Sequence, residues 1–500
     1  MSGAASTAPV RSSCGRILAA ALALAVPIGC AVGPEYQRPD AVPVMPESYA
    51  GASGEWKVAT PQADLAKGAW WEIFGDTDLT RLETDAAAAN QDLKAAAARF
   101  AQARATADAA RSGLFPRIGA ALFAMRVHDS ANRPLSNTGE PAGRGFTYDN
   151  ISVPFDAGSE VDLWGRVRRQ IEGARAGEEA AAADLEAMRL SISAEVAVDY
   201  FTLRSIEAEK EALTESLAAY RRALELTRDR RRGGLASDLD VAQAETVLHA
   251  AEAQLPALTQ TALRFEHALA VLVGQPASLF RLDGRPLVGE PPRIRPDLPS
   301  ELLERRPDVA AAERRMAAAN AAVGVAKAAF FPVVRLTGLT GFQSVSSGTL
   351  FDWPSRFWAV GASLALPLFD GGQRSAGVRA AQARYEETVA LYRQTVLKAF
   401  AEVEDQLAAQ RLLQEQLDGE TAAWVSARRQ LELAQNRYRG GLVSYLQVTS
   451  AQSAALDHER TVSRLRGQQF AACVALVKSL GGGWGPAAVA MSESEPPKAK

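Results

Sequence analysis

Cysteine and histidine are scarce in this sequence, with three and four residues in 500. Cys14 lies in an apparent leader and Cys30 at its end, which leaves Cys473 as the only thiol further on and no intrachain disulfide framework. Cys473 sits in the apolar stretch 471–476 and reads as a packed core residue. His128, His249, His267 and His458 show no metal-ligand spacing with each other, with Cys or with carboxylates. His249 and His458 read as ordinary helix residues. Gly371-Gly372 and Gly481-Gly482-Gly483 lack the Lys-Ser/Thr of a phosphate loop. No nucleophile-elbow pattern occurs, and the reading is that the chain is not an enzyme and needs no cofactor. Basic excess is missing too: the net charge is −3, which argues against a nucleic-acid partner. Past the leader no apolar run reaches the about 20 residues of a transmembrane helix. A membrane-spanning role therefore has to use β-strands.

What is abundant is alanine, a strong helix former that buries little area. Long helices at close approach suit such a chain better than one thick apolar core. At the start, Arg11 and Arg16 precede the uncharged run Ile17 to Val26, too short to span a bilayer. Pro27-Ile28-Gly29-Cys30 follows and looks like a lipobox, with proline where leucine is usual. Residues 1–29 are read as a lipoprotein signal peptide. Cys30 is the lipid attachment residue, expected to carry a diacylglycerol thioether and an N-acyl chain. Ala31 stands where an aspartate would signal retention at the inner membrane, so the destination is outer-membrane lipid. The tail 485–500 is predicted to be flexible.

Three pairs of segments match within the chain. Ala110 to Pro116 resembles Ala326 to Pro332, with Asn90-Gln91-Asp92-Leu93 and Arg306-Pro307-Asp308-Val309 ahead of them at the same offset of 216. Arg232-Gly233-Gly234-Leu235 matches Arg439-Gly440-Gly441-Leu442 at an offset of 207. One variable loop near 128–145 absorbs the difference. The chain is thus read as two internal repeats, 79–290 and 291–484, after a segment 30–78. Each repeat runs helix, Phe-Pro, two β-like segments around a polar loop, a very long helix, Gly-Gly and a return helix.

The strands are predicted at about 117–127 and 146–164 in the first repeat and 333–345 and 357–370 in the second. From Asn150 to Leu163, Ile151, Val153, Phe155, Val161 and Leu163 are apolar at odd positions, and Asn150, Ser152, Asp156, Glu160 and Asp162 are polar at even ones. Trp358, Val360, Leu364, Leu366 and Leu368 share one face of the last segment. Period-two alternation over about ten residues marks a strand with lipid on one side and water on the other. The segments 117–127 and 333–345 alternate less cleanly, and Arg117 and Arg335 have to face a lumen or the rim. Four strands cannot close a barrel, and open strand edges are not tolerated in lipid. Subunits must then share one barrel, and three copies give twelve strands.

Residues 166–231 and 372–439 contain no proline. At 1.5 Å per residue such helices reach about 100 Å. The predicted hairpins are 166–273 and 372–480. Their density of charge fits a helical wall with water on both sides. The glycine pairs 233–234 and 440–441 are predicted to end the long helices and form the tips farthest from the membrane. Pro256 predicts a kink or break in the first return helix.

Cys30 to Tyr36 with Arg38-Pro39, Trp70-Trp71 with Phe74-Gly75-Asp76, Leu298 to Leu303 with Arg305 to Asp308, and Leu366 to Gly372 are blocks found in that order. Together they resemble the TolC-like outer-membrane factor family, in the lipoprotein subgroup similar to NodT/OprM-type channels. The resemblance covers about residues 30–484. It implies an α+β membrane protein: a homotrimer whose outer-membrane β-barrel, four strands per subunit, continues into a long periplasmic α-helical barrel. It also implies a periplasmic adaptor (membrane fusion protein) and a proton-driven inner-membrane pump, with the channel a passive duct for drugs or other small toxic compounds. The tip residues Gly233, Gly234, Leu235, Gly440, Gly441 and Leu442 then become the adaptor-docking candidates. The entrance-gate candidates are Asp238, Asp240, Tyr445 and Ser450. Ser450 occupies the place where many members carry an aspartate, and Asp238 and Asp240 are available to supply charge instead. A secretion duct for polypeptides is the alternative within the channel class. A periplasmic coiled-coil adaptor or scaffold is the alternative outside it, disfavoured by two hairpins and four strand segments where one hairpin would suffice.

Overall fold

The structure is a computed structural model and describes residues 31–41, 69–132, 145–292, 294 and 306–482. The signal segment, Cys30, the block 298–303 and the tail 485–500 lie outside the described residues. The chain divides into two compact units, one of residues 1–38, 103–178 and 315–388, the other of 39–102, 179–314 and 389–500.

The helices are α1 (Thr77–Ala89), α2 (Gln91–Arg111), α3 (Arg166–Arg232), α4 (Asp238–Leu272), α5 (Pro307–Ala328), α6 (Gln373–Arg439) and α7 (Tyr445–Ser479). The strands are β1 (Arg117–Ala120), β2 (Phe123–Asp129), β3 (Phe146–Val161), β4 (Val333–Ser344) and β5 (Arg356–Ala365). Helices α3 and α6 each have 67 residues, and α4 and α7 each have 35. No described helix is long and apolar enough to cross a membrane.

In the first unit all strand pairings are antiparallel, in the order β1/β2, β3, β4, β5. The strand expected over 117–127 is split in two. Both pieces keep one register against β3, with Ala120 opposite Phe155 and Phe123 opposite Ser152. The gap lies opposite Pro154, which has no N–H to donate, so the ladder thins there while the Ala121 N–H still reaches the Pro154 carbonyl at 3.0 Å. Strand β3 stops at Val161, short of 164, because Asp162 turns to cap α3 through the N–H groups of Val167 (3.0 Å) and Arg168 (2.9 Å). Strand β5 stops at Ala365, short of 370, ahead of Pro367. Asp370 then accepts from the Gly372 and Arg374 N–H groups at the start of α6. Trp164 stacks on Phe331 at 4.8 Å and donates to the Pro332 carbonyl at 2.9 Å, holding the helix-to-strand turns.

Among the described residues the second unit is helical and packs around several apolar clusters, two of them large. The first gathers Trp70, Leu79 and Leu82 with Val196, Tyr200 and Phe201 of α3, Leu269 of α4, and Phe470 and Val474 of α7. Its centre is aromatic, with Phe201 4.8 Å from Phe74 and 4.6 Å from Phe470. Asp76 caps α1 through Leu79 N–H (3.0 Å) and accepts the Tyr200 hydroxyl at 2.6 Å. The second core packs Leu213, Leu217, Tyr220 and Leu224 of α3 against Leu248 of α4, Tyr438 of α6, and Tyr445 and Val448 of α7. Its many alanines let the helices approach closely. Helix α4 runs through Pro256 without a break. One lost backbone bond is outweighed by the bonds and packing of a 35-residue helix, so, of the kink or break expected there, the break does not occur. Cys473 is buried and donates to the Pro292 carbonyl at 3.4 Å, and burial pushes its thiol up to about 12. Among the described residues no cluster of His, Cys, Asp and Glu could hold a metal ion.

Candidate functional site

The sheet has two chemically different faces, fixed by register. Directly paired residues in an antiparallel sheet share a face. One face carries Ile118, Ala120 and Leu122; Ile151, Val153, Phe155, Ala157 and Val161; Val334, Leu336 and Phe342; and Trp358, Val360, Ala362 and Leu364. It has no charged residue from Ile151 to Val161 of β3 or beside them. Arg126 with Asp149 and Arg356 occur on it only at the loop end. There Arg126 pairs with Asp149 at 3.8 Å, and Arg356 lies 3.6 Å over the Trp353 ring. Ile118, Trp358 and Val360 are 79%, 69% and 80% exposed, values a water-soluble sheet would not tolerate in a contiguous patch. The uncharged stretch of β3 runs about 33 Å along the strand, which at the tilt of a barrel strand is about 25 Å in height. That is the height of an outer-membrane apolar band.

The opposite face carries Arg117, Ser152, Asp156, Glu160, Thr337, Arg335 and Ser363. Arg335 sits directly across from Glu160, which also takes a two-pronged bond from Arg166 at 2.7 Å to each oxygen. Arg117 and Arg335 thus lie on the polar face, as their charge requires. Phe123, Met125 and Leu339 are apolar members of this face, so the alternation is strong but incomplete.

At the other candidate site, both glycine pairs end their helices in the same way. The Leu235 N–H donates to the Arg230 carbonyl (2.8 Å) and the Gly234 N–H to Arg231 (2.9 Å). The Leu442 N–H donates to Arg437 (2.9 Å) and the Gly441 N–H to Tyr438 (3.0 Å). This is the Schellman pattern, which needs a left-handed residue at its penultimate place. Gly234 (φ 72°) and Gly441 (φ 69°) take that conformation, while Gly233 and Gly440 do not. Leu235 and Leu442 stand 73% and 77% exposed in the single chain rather than folding back into their hairpins.

The gate candidates fall into different surroundings. Asp238 pairs with Arg231. Asp240 closes a capping box with Ser237, accepting its N–H and its hydroxyl at 2.9 Å each. Ser450 is exposed. Tyr445 is buried, edge-on to Tyr438 at 5.1 Å, and burial pushes its hydroxyl up to about 12. Sequence reasoning missed the residue that joins the two tips. Arg230 lies 4.9 Å over the Tyr438 ring, and its Nη1 donates to the Arg439 carbonyl at 3.1 Å. The only trace of it in the sequence is that Arg230 and Arg437 occupy equivalent places at the 207-residue offset.

An antiparallel sheet with an uncharged exposed face and a polar one, in a chain with two 67-residue helices, defines an outer-membrane channel component. The chain belongs to the outer membrane efflux protein family, whose profile matches residues 82–275 and 298–482. It is 34% identical over 473 residues to the toluene efflux pump outer membrane protein TtgF of Pseudomonas putida, covering 93% of this chain and 96% of that one. It is 33% identical over 474 residues to the outer membrane protein OprJ of Pseudomonas aeruginosa, covering 93% and 95%. Among solved structures, the outer-membrane channel OprN aligns with a TM-score of 0.81 at 32% identity, covering 91% of this chain and all of that one. The CmeC outer membrane channel of Campylobacter jejuni aligns with a TM-score of 0.82 at 25% identity, covering 93% and 98%. The protein is therefore an outer-membrane component of an efflux system, in a family of channels and not of enzymes.

Proposed function

We propose that three copies of this chain form one passive duct. Each contributes four strands to a shared twelve-strand barrel, and the helical hairpins continue it as a tunnel into the periplasm. The observation that carries this reading is the sheet itself. Its terminal strands, β1/β2 and β5, have no further partner among the described residues, yet its outer face is that of a lipid-facing strand. Unsatisfied strand edges cost several kcal/mol per group in lipid, so another copy has to pair with each edge. Exposed Leu391, Leu397, Leu412, Val425 and Leu433 along α6 support packing of helices between copies.

In this reading the two halves are a duplication with boundaries near 79–290 and 291–484, and Cys30 carries the lipid anchor, supported by the lipobox-like sequence. The exposed Leu235 and Leu442 beside the tip glycines receive a periplasmic adaptor. The adaptor links the duct to an inner-membrane pump driven by protons, which supplies the energy. Relatives are named for toluene and for antibiotic efflux, which favours small toxic compounds as cargo. The test is cross-linking together with single-channel recording on the purified protein. Trimers and a water-filled pore without added energy are expected. A monomer without conductance at any voltage would overturn the shared barrel.

A further inference from the structure

The tips carry a surplus of positive charge that their own acids do not neutralise. Six arginines (Arg228, Arg230, Arg231, Arg232, Arg437 and Arg439) stand against Asp229, Asp238, Asp240 and Glu245. Each of those acids is engaged within the first hairpin. Glu245 holds Arg228 at 2.7 Å, Asp238 holds Arg231, Asp229 holds Arg232, and Asp240 is bound by Ser237. The second hairpin has no acid at all from Leu433 to Leu456. Arg230, Arg437 and Arg439 are left without an acidic partner, and Arg230 reaches the end of the helix that carries the other two. Arg230 is pinned across the hairpins by the Tyr438 ring and the Arg439 carbonyl, with its buried Nε unbonded. Arg437 and Arg439 are exposed one turn from the tip.

We propose that this arginine cluster makes the mouth at the tips attract anions, so that the duct favours solutes bearing carboxylate, sulfonate or phosphate over cationic ones. The proposal rests on the reading of the tips as the periplasmic mouth of a trimer. There, three copies of the cluster ring one opening, and fields that reach about 8 Å at physiological salt overlap across it. Rings of Arg or Lys are how anion pores select, and guanidinium groups present paired donors to oxyanions. Asp238 is paired with Arg231, and the four acids together leave the six arginines two charges in excess.

The experiment is single-channel recording of the full-length protein under a potassium chloride gradient, with inositol hexakisphosphate added on the tip side as a polyanion probe. The expected result is a chloride permeability greater than that of potassium, and block by the polyanion. The double variant Arg437→Gln, Arg439→Gln changes only exposed side chains. It is expected to lower the chloride preference and relieve the block while the oligomer on unheated electrophoresis stays intact. Asp238→Asn is expected to shift the preference the other way, further towards chloride. An open pore that prefers potassium, or a double variant with unchanged selectivity, would overturn this inference alone, including the case where that variant loses only adaptor cross-linking. Absence of any conductance would overturn the duct reading and this inference with it.

Discussion

Within each glycine pair at the tips, the second residue is predicted to be indispensable and the first replaceable. Gly441 holds φ at 69° and donates its N–H to Tyr438. An alanine there is forced into the left-handed region at a cost of about 1–2 kcal/mol. Gly440 has an ordinary φ, and a Cβ added to it meets the Arg437 and Asn436 carbonyls at 3.5 and 3.7 Å and the Leu442 side chain at 3.8 Å, which is ordinary contact. Gly440→Ala is therefore neutral or stabilising by about 0.5 kcal/mol, because alanine narrows the unfolded ensemble. The cost at Gly441 corresponds to a roughly 5- to 30-fold rise in local opening. Amide hydrogen exchange at Leu442, whose N–H closes the motif on Arg437, reads that change directly. Gly441→Pro is harsher, since proline fixes φ near −65° and removes the donor. It should abolish export in a drug-accumulation assay while trimer yield stays normal. Gly234 and Gly233 should repeat the contrast. Equal effects of Gly440→Ala and Gly441→Ala on exchange and on export would show that the left-handed turn is not what the tip requires.

Leu336→Arg places a charge on the uncharged face of β4 and should cost about 2–4 kcal/mol and most of the assembled protein; Thr337→Arg, next along the strand on the polar face, should assemble normally, as measured by the heat-modifiable oligomer in outer-membrane fractions. Glu83 is buried without a partner for one oxygen, and burial raises its carboxyl from 4.5 to about 9. The folded chain then keeps a proton that the unfolded chain releases, so this contribution is complete below pH 4.5 and is lost as pH rises towards 9, at up to about 1.4 kcal/mol per unit. Glu83→Gln should flatten the fall of Tm between pH 5 and 9, and parallel curves for the two proteins would rule the buried neutral carboxyl out. Cys30→Ala should end labelling by a radioactive fatty acid yet leave the protein in the outer membrane, since the barrel is a second anchor; persistent labelling would count against the lipobox.

Much of the fold was legible because the signals that encode it are local. The odd-residue apolar series of β3 marks a face whether or not its neighbours are known, and the absence of proline from 166–231 and 372–439 leaves a long helix little alternative. Glycine pairs announced both helix ends. What local signals missed was set by partners. Pro256 looks like a breaker, but a 35-residue helix with a packed face absorbs one missing bond. The gap between β1 and β2 is caused by Pro154 on the neighbouring strand. Asp238 looked unpaired, and only the position of Arg231 shows its partner, while Asp240 keeps its charge in a capping box with Ser237. The Arg230 and Tyr438 contact joins residues far apart in sequence and depends on how the two hairpins pack.

The central claim is that one face of the four-strand sheet meets lipid and the other meets water. Single cysteines introduced in turn at residues 334–342 and 357–364, with the protein in native outer membranes, test it most directly. A membrane-impermeant maleimide and a lipid-soluble thiol reagent are then compared at each position, the buried Cys473 staying silent. The account predicts strict alternation: Val334, Leu336, Trp358, Val360, Ala362 and Leu364 react with the lipid-soluble reagent, and Arg335, Thr337, Gly361 and Ser363 with the aqueous one. Aqueous labelling at both sets of positions would contradict it.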